Sequence, residues 1–264
     1  MLKLIRCEFW KLRRKHFVSF VVFAALLFPI PFTALVLAGS VGNFSGFDAV
    51  FGLLLTLGEP VMLPVVLGIV AAMLFFMERD NDTLKNLRTI PISPARLATA
   101  KIAVLFLLGL IYSLATLVSS MVGGVGGVIA GSAPTGIVEK VALSLITSVL
   151  YTASTLPMVI GIVWFNRSYI FSIILTFFYT MFDFFLAYGG VFASPEPAMK
   201  LLTNILPAPI IYRWQAAQFV SPDTPAYAAM EPYFLPLWLT ALTVLVLGGL
   251  SYLAIVRIYS KRES

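Results

Sequence analysis

Charged residues are scarce in this sequence of 264 residues, since Asp, Glu, Lys and Arg make up 11% of it, whereas 60% of the residues are hydrophobic. Soluble domains carry about 25% charged residues, and a chain with so few cannot cover a water-facing surface. The composition therefore excludes a soluble globular enzyme, and it also excludes intrinsic disorder, which needs low hydrophobicity and high charge. With a mean hydropathy of +0.97, the sequence predicts an all-α integral membrane protein.

Histidine and cysteine occur once each, as His16 and Cys7. A single cysteine allows no intramolecular disulfide, and a single histidine cannot build a histidine-based zinc site or a Ser–His dyad within the bilayer. The sequence also lacks the G-x-x-x-x-G-K-[ST] pattern of a phosphate-binding loop, so the glycine-rich run over 123–131 is interpreted as a close helix contact or a flexible helix exit. We therefore expect no catalytic residue, no metal and no cofactor in this chain.

Apolar runs without charges predict six membrane-spanning helices in a single polytopic domain covering residues 1–264, because one helix needs about 20 apolar residues to cross a bilayer. The predicted spans cover residues 17–38, 60–77, 102–122, 141–165, 169–188 and 234–256. The first span is interpreted as a retained anchor and not as a cleavable signal.

The distribution of Lys and Arg predicts the orientation of these spans. Six spans place both termini, the segment 78–101 and the loop around Arg167 on one side, and these regions hold 6, 3, 5 and 1 of the 18 Lys and Arg residues. Because positively charged loops stay in the cytoplasm, we expect a multi-pass cell-membrane protein with both termini in the cytoplasm and with residues 189–233 outside. The net charge of +6 then indicates contact with anionic lipid headgroups and not with nucleic acid.

The first 15 residues are predicted to form an amphipathic helix in the cytoplasmic membrane interface. Apolar residues recur there at helical spacing beside a basic group, and the two sets are Leu2, Ile5, Phe9 and Leu12, and Lys11, Arg13, Arg14 and Lys15. The alternative is a basic tail that directs topology without a fixed structure.

The charged segment 78–101 is predicted to form a cytoplasmic connector helix between the second and third spans. Asp80 or Asp82 would cap this short helix, and Pro91 would end it. Leu84 and Leu87 would give it an apolar face able to press on a soluble partner, whereas Ser93–Pro94 would start the third helix. The alternative is an ordinary charged connector.

The outer connection 189–233 contains seven prolines, yet it also carries apolar residues at helical spacing. Pro207 and Pro209 are predicted to divide these residues into two short helices at 198–219. Because such apolar pieces are poorly suited to water, we expect re-entrant or interfacial half-helices between the fifth and sixth spans. The alternative is a folded outer loop that does not enter the membrane.

Asp183 is the one carboxylate that the predicted spans place inside the membrane, where a charged group is costly and needs a partner. Tyr179 and Tyr188 lie at helical offsets from it and are the predicted hydrogen-bond donors. Three roles stay open for Asp183, namely a structural group in the bundle interior, a lining residue of a substrate pathway and a proton-coupling residue. A single carboxylate makes a poor proton relay.

Two groups of residues resemble motifs of the membrane subunits of ABC-2 type exporters. The first is the opening of the chain, an aliphatic pair followed by Glu and then Lys, here Leu4, Ile5, Glu8 and Lys11. The second is the connector, here Glu78, Thr83, Leu84, Leu87, Pro91, Ile92, Ser93 and Lys101. The sequence departs from the family at Asp82, where Gly is frequent.

The resemblance implies a permease without enzyme activity of its own. Two permeases pair, as a homodimer or a heterodimer, and each docks a separate ATP-binding subunit on the cytoplasmic face. The residues that the resemblance assigns to this contact are Glu78, Asp82, Thr83, Leu84, Leu87 and Arg88.

The length and the lack of fused domains look similar to the lantibiotic-immunity and bacitracin-resistance branch of these bacterial exporters. That branch exports antimicrobial peptides and other amphipathic or lipophilic compounds. The alternative substrates are cations or multiple drugs, as exported by another branch of the family. The alternative classes of protein are an ion-coupled secondary transporter and a membrane-embedded lipid-modifying enzyme.

Overall fold

The computed structural model describes residues 1–14, 16–27, 31, 47–80, 93–128, 136–165, 168–190, 197–220, 223 and 225–263. All regular secondary structure in these residues is helical, and no strand occurs among them. The all-α prediction is therefore confirmed for the part of the chain that the structure describes.

Two helices begin the chain, α1 over Leu2–Arg14 and α2 over Phe17–Leu27. Between them His16 adopts a left-handed backbone conformation with a φ of 59°, and its N–H donates to the Arg13 carbonyl at 3.1 Å. Leu12 is fully buried, and Ile5 and Phe9 pack against the bundle core. The apolar face of α1 therefore packs on protein, whereas Leu2, the first residue of the predicted face, is exposed.

A continuous helical stretch follows, made of α3 (Phe47–Leu53), a first π-helical segment (Leu54–Gly58) and α4 (Glu59–Asp80). The wider π turn is visible in the hydrogen bond from the Glu59 N–H to the Leu54 carbonyl, five residues earlier. The apolar stretch that could cross a membrane covers Val50–Phe76, so it begins ten residues before the predicted span at 60–77.

Three long helices complete the centre of the bundle. They are α5 over Pro94–Val128, α6 over Ile137–Phe165 and α7 over Tyr169–Phe185, and α7 continues into a second π-helical segment at Leu186–Gly190. In α5 the proline occupies the first helical position, where its missing N–H costs nothing, and the Ser93 carbonyl accepts from the Arg96 N–H at 3.0 Å.

The outer connection folds into short helices before the last long one. These are α8 (Pro197–Ile205), α9 (Pro207–Phe219) and α10 (Pro225–Met230), followed by a 3₁₀ turn at Glu231–Tyr233 and by α11 (Leu237–Glu263). The chain breaks at Leu206, whose backbone is extended, because a residue before proline disfavours the helical conformation.

Five helices are long and apolar enough to cross a membrane, namely Val50–Phe76, Pro94–Met121, Ile137–Phe165, Tyr169–Gly189 and Leu237–Lys261. The described part of the first predicted span, Phe17–Leu26, is a shorter apolar helix, and most of its second half lies outside the described residues. Five candidate spans are thus established, and the sixth stays a prediction.

The interior of the bundle combines an apolar core with many buried serine and threonine side chains, and its surface exposes large apolar residues, as expected of a membrane protein. In α7 the buried residues are Ser172, Thr176, Thr180 and Asp183, whereas the exposed ones include Ile170, Phe171, Ile174, Phe177, Phe178, Phe182 and Phe185. A Cβ at Gly68 of α4 would overlap the Thr176 side chain, so glycine allows these two helices to approach closely.

Candidate functional site

The predicted contact for an ATP-binding subunit falls largely outside the described residues. Glu78 lies in the last turn of α4, and its side chain is not among those described. Asp82, Thr83, Leu84, Leu87 and Arg88 also lie outside the described residues. Their role in docking therefore stays a prediction.

The structure pairs Glu8 with Lys11, the two residues singled out at the start of the chain. The Lys11 Nζ donates to the Glu8 Oε1 at 2.5 Å, and Glu8 is 3% exposed. The opposite face of α1 is open and basic, with the Arg6 and Arg13 guanidinium groups at 5.8 and 6.0 Å from the Trp10 ring. Glu8 therefore forms a buried ion pair within α1, whereas Arg6 and Arg13 lie on the exposed face of the helix.

Asp183 is buried in the bundle, with 4% of its surface exposed, but its predicted tyrosine donors are wrong. The Tyr179 hydroxyl donates to the Ser154 carbonyl at 3.0 Å, and the Tyr188 hydroxyl has no hydrogen-bond partner among the described residues. The Asp183 carboxylate instead accepts from the backbone N–H of Ala208. This donor belongs to the first turn of α9, which the helical offsets within α7 could not reveal.

Asp183 therefore caps the short helix α9 from a neighbouring helix. Pro207 and Pro209 have no N–H group, so Ala208 supplies the one donor among the first three residues of α9. A carboxylate at this position also interacts favourably with the positive end of the helix dipole. Asp183 Oδ1 has no further partner among the described residues.

Gln215 holds the other half of α9 to the bundle. Its side-chain oxygen accepts from the Tyr151 hydroxyl at 2.9 Å, and its Nε2 donates to the Leu55 carbonyl at 3.3 Å. In the π register the N–H of residue 60 would bond to Leu55, but Pro60 has none. The Gln215 amide replaces this missing donor and so joins α9 to the first π segment.

A second intramembrane carboxylate lies in the same interior. Glu59 is 0% exposed and lies within the candidate span Val50–Phe76. Its Oε1 accepts from the Ser113 hydroxyl at 2.7 Å, and Ser113 also contacts the Ser144 hydroxyl at 2.6 Å. The prediction that Asp183 is the one carboxylate inside a span was therefore wrong.

The sequence contained an indication that Glu59 lies inside a membrane span, but the predicted span boundaries did not use it. Residues 50–58 are apolar apart from Thr56 and two glycines, so the hydrophobic run begins well before the glutamate. The predicted second span nevertheless begins at Pro60 and leaves Glu59 just outside it. The π segment instead carries the helix through this point. Gln215 was similarly missed, although it is a polar residue beside the apolar Ile211 and Trp214.

A buried cation lies toward the other end of α4. Lys101 of α5 is 0% exposed, and its Nζ donates to the Leu74 carbonyl. The same group lies 5.3 Å from the Phe75 ring and 5.8 Å from the Tyr259 ring. Lys101 therefore joins α4, α5 and α11, although the sequence placed it at the end of a cytoplasmic connector.

These features define a multi-pass helical membrane protein with buried polar and charged groups inside its bundle. Residues 4–183 match the family described as ABC-2 family transporter protein, which is more than half of the chain. The chain therefore belongs to the ABC-2 transporter family, and it is the membrane component, or permease, of an ABC transporter that associates with an ABC ATP-binding subunit. No curated protein matches the chain.

Proposed function

We propose that this permease forms the translocation path of an ATP-driven exporter for an antimicrobial peptide or another amphipathic or lipophilic compound. The observation that carries the proposal is the family match over residues 4–183, which includes the opening motif and the connector. The substrate class rests on the resemblance to the immunity and resistance branch, and it is consistent with the many lipid-facing aromatic residues of α7.

In this proposal two copies of the permease, or two related permeases, form the path together. Each docks its ATP-binding subunit through the connector residues Glu78, Asp82, Thr83, Leu84, Leu87 and Arg88. The connector runs from α4 and leads into α5, so a tilt of the connector would move both helices. Movement of rigid elements with two arrangements is what a soluble motor needs to act on buried helices.

ATP-dependent transport in proteoliposomes tests the proposal. The permease is reconstituted with its ATP-binding subunit, and efflux of a fluorescent cationic peptide is followed without any ion gradient. We expect movement that requires ATP and that stops when the Walker lysine of the partner is substituted. Movement driven by a sodium or proton gradient without ATP would instead identify an ion-coupled secondary transporter and contradict the proposal.

The proposed orientation places both termini in the cytoplasm and residues 189–233 outside. Single cysteines introduced at Ser264 and Pro222 in a Cys7→Ser background test this with an impermeant maleimide on intact cells. Cys7 must be removed first because it is exposed. We expect labelling at 222 and none at 264, and the reverse pattern would overturn the topology.

A further inference from the structure

One of the two carboxylate oxygens of Glu59 has a hydrogen-bond partner among the described residues, and the other has none. Its Oε1 accepts from Ser113, whereas Oε2 is buried and has no hydrogen-bond partner among the described residues. A buried carboxylate oxygen without a partner is unfavourable, because it has lost its hydration without gaining a hydrogen bond. An occupant that the protein itself does not supply is therefore expected beside Oε2.

Hydroxyl groups of α6 provide a second, independent observation. The Ser148 Oγ and the Thr152 Oγ1 are both fully buried, and neither has a hydrogen-bond partner among the described residues. They follow Ser144, which contacts Ser113, by one and two helical turns on the same face of α6. On the facing helix α5 stands Gly109, where a Cβ would overlap the Thr152 Oγ1 and approach the Ser148 Oγ to 3.4 Å. Glycine thus lets the backbone of α5 approach these two hydroxyls closely.

The charge of Glu59 has no protein counter-ion within the described residues. Lys101, the buried cation of the bundle, donates to Leu74, which lies 15 residues further along α4, or about 22 Å at the helical rise. The titratable groups that interact with Glu59 are Tyr112 and Tyr151, and Tyr151 also interacts with Asp183. None of these supplies a positive charge.

We propose that Glu59, together with the Ser148 hydroxyl, forms an intramembrane binding site for one monovalent metal cation. Carboxylate and hydroxyl oxygens are hard ligands of the kind that such cations prefer. A single carboxylate neutralises one positive charge, whereas a divalent ion would leave a net charge in the bilayer. No group of three His, Cys, Asp or Glu residues converges in the described part of the chain, which disfavours a transition metal.

The neighbouring π segment fits this role. Membrane transporters bind ions where a helix loses its regular geometry, and π turns occur frequently at functional sites. Glu59 directly follows such a turn at Leu54–Gly58. The Thr152 hydroxyl extends the polar stripe by one turn toward the interior, where it can hold water that hydrates the ion.

Thermal unfolding of the purified full-length permease tests this site with Na⁺ as the probe. Melting temperatures are compared in NaCl and in N-methylglucamine chloride at equal ionic strength, with LiCl and KCl as further arms. For a site with sodium at ten times its dissociation constant, we expect the wild-type melting temperature to rise by about 3 °C. Glu59→Gln keeps the contact with Ser113 but removes the charge, and the rise should disappear.

Two further variants separate the site from general effects on the fold. Ser148→Ala removes one proposed ligand without touching a charge, and it should shift the sodium midpoint to at least tenfold higher concentration. Asp183→Asn removes the other buried carboxylate and should leave the sodium response unchanged. If Glu59→Gln does not fold, the Ser148→Ala shift decides.

Three results would overturn the proposed cation site. These are a wild-type protein that is insensitive to all three metal cations, an equal sodium response in Glu59→Gln, and a stability that follows pH but not sodium. The last would mean that Glu59 holds a proton. The assay uses the permease without nucleotide, so its outcome is independent of whether the chain is an ATP-driven exporter.

Discussion

Helix α4 is held in two different ways toward its two ends. Near Leu74, Lys101 donates to a backbone carbonyl and lies against two aromatic rings, so helices α4, α5 and α11 are fixed together. Around Glu59 the contacts are hydroxyls and an amide, and several buried polar atoms lack a partner among the described residues. The end near Leu74 is suited to transmit movement rigidly. The end near Glu59 instead has buried polar atoms that are able to bind a ligand.

The largest effect on stability is expected for Lys101→Ala. This change leaves a cavity between Phe75 and Tyr259 and removes the donor to Leu74, so we expect a loss of about 3 kcal/mol. Lys101→Met fills most of the volume and should cost clearly less. Detergent melting curves of both variants check the order. Equal stability of Lys101→Ala and the wild type would show that this end of α4 is not clamped.

Asp183→Leu is expected to follow, at a cost of about 1–3 kcal/mol, because the Ala208 N–H loses its acceptor. Asp183→Asn retains a side-chain oxygen that can accept from the same group, so it should be tolerated better. The melting temperatures of the two variants and the wild type decide this. If all three were equal, the carboxylate would not cap α9.

Gln215→Leu tests the link between α9 and the first π segment. Leucine cannot accept from Tyr151 or donate to the Leu55 carbonyl, so we expect a loss of about 1–2 kcal/mol. Gln215→Glu keeps the acceptor and loses the donor, and its comparison with Leu separates the two hydrogen bonds. Protection of the outer helices by hydrogen exchange should fall in Gln215→Leu, and unchanged protection would argue against this anchor.

The smallest effect on stability is expected for a substitution of His16, which lies outside the two ends of α4 compared above. Its φ of 59° is a conformation that glycine adopts without strain. His16→Gly should therefore be neutral or stabilise by up to about 1 kcal/mol. A clear destabilisation would mean that the imidazole makes a contact of its own. His16→Ala, which keeps the strain and removes the imidazole, is the matched control.

The sequence predicted features that depend on local pattern and could not predict those that join distant segments. The burial of Asp183 follows from an aspartate in an apolar run, but its partner Ala208 belongs to another helix and donates through its backbone. The break at Leu206 follows from Pro207 alone. Glu59 was missed because the predicted span begins one residue after it, whereas the π turn that carries the helix past this point is joined by a hydrogen bond to the distant Gln215.

Lys101 shows a related limit of sequence reasoning. A lysine near a charged segment indicates a water-facing position, and the sequence placed it there. In the structure its side chain is enclosed by Phe75 and Tyr259, which lie 26 residues before it and 158 residues after it in the numbering. Enclosure of this kind is a property of helix packing and has no local signature.

Docking of the ATP-binding subunit tests the central claim most directly. The measurement is co-purification of that subunit with permease variants Leu84→Asp and Leu87→Asp, with Leu201→Asp as a matched control on the exposed face of α8. We expect both connector variants to lose the partner, at an interface cost of about 2 kcal/mol or more, while the control retains it. Glu78→Gln should keep docking but weaken the stimulation of ATP hydrolysis by substrate. Wild-type docking and transport in both leucine variants would contradict the account.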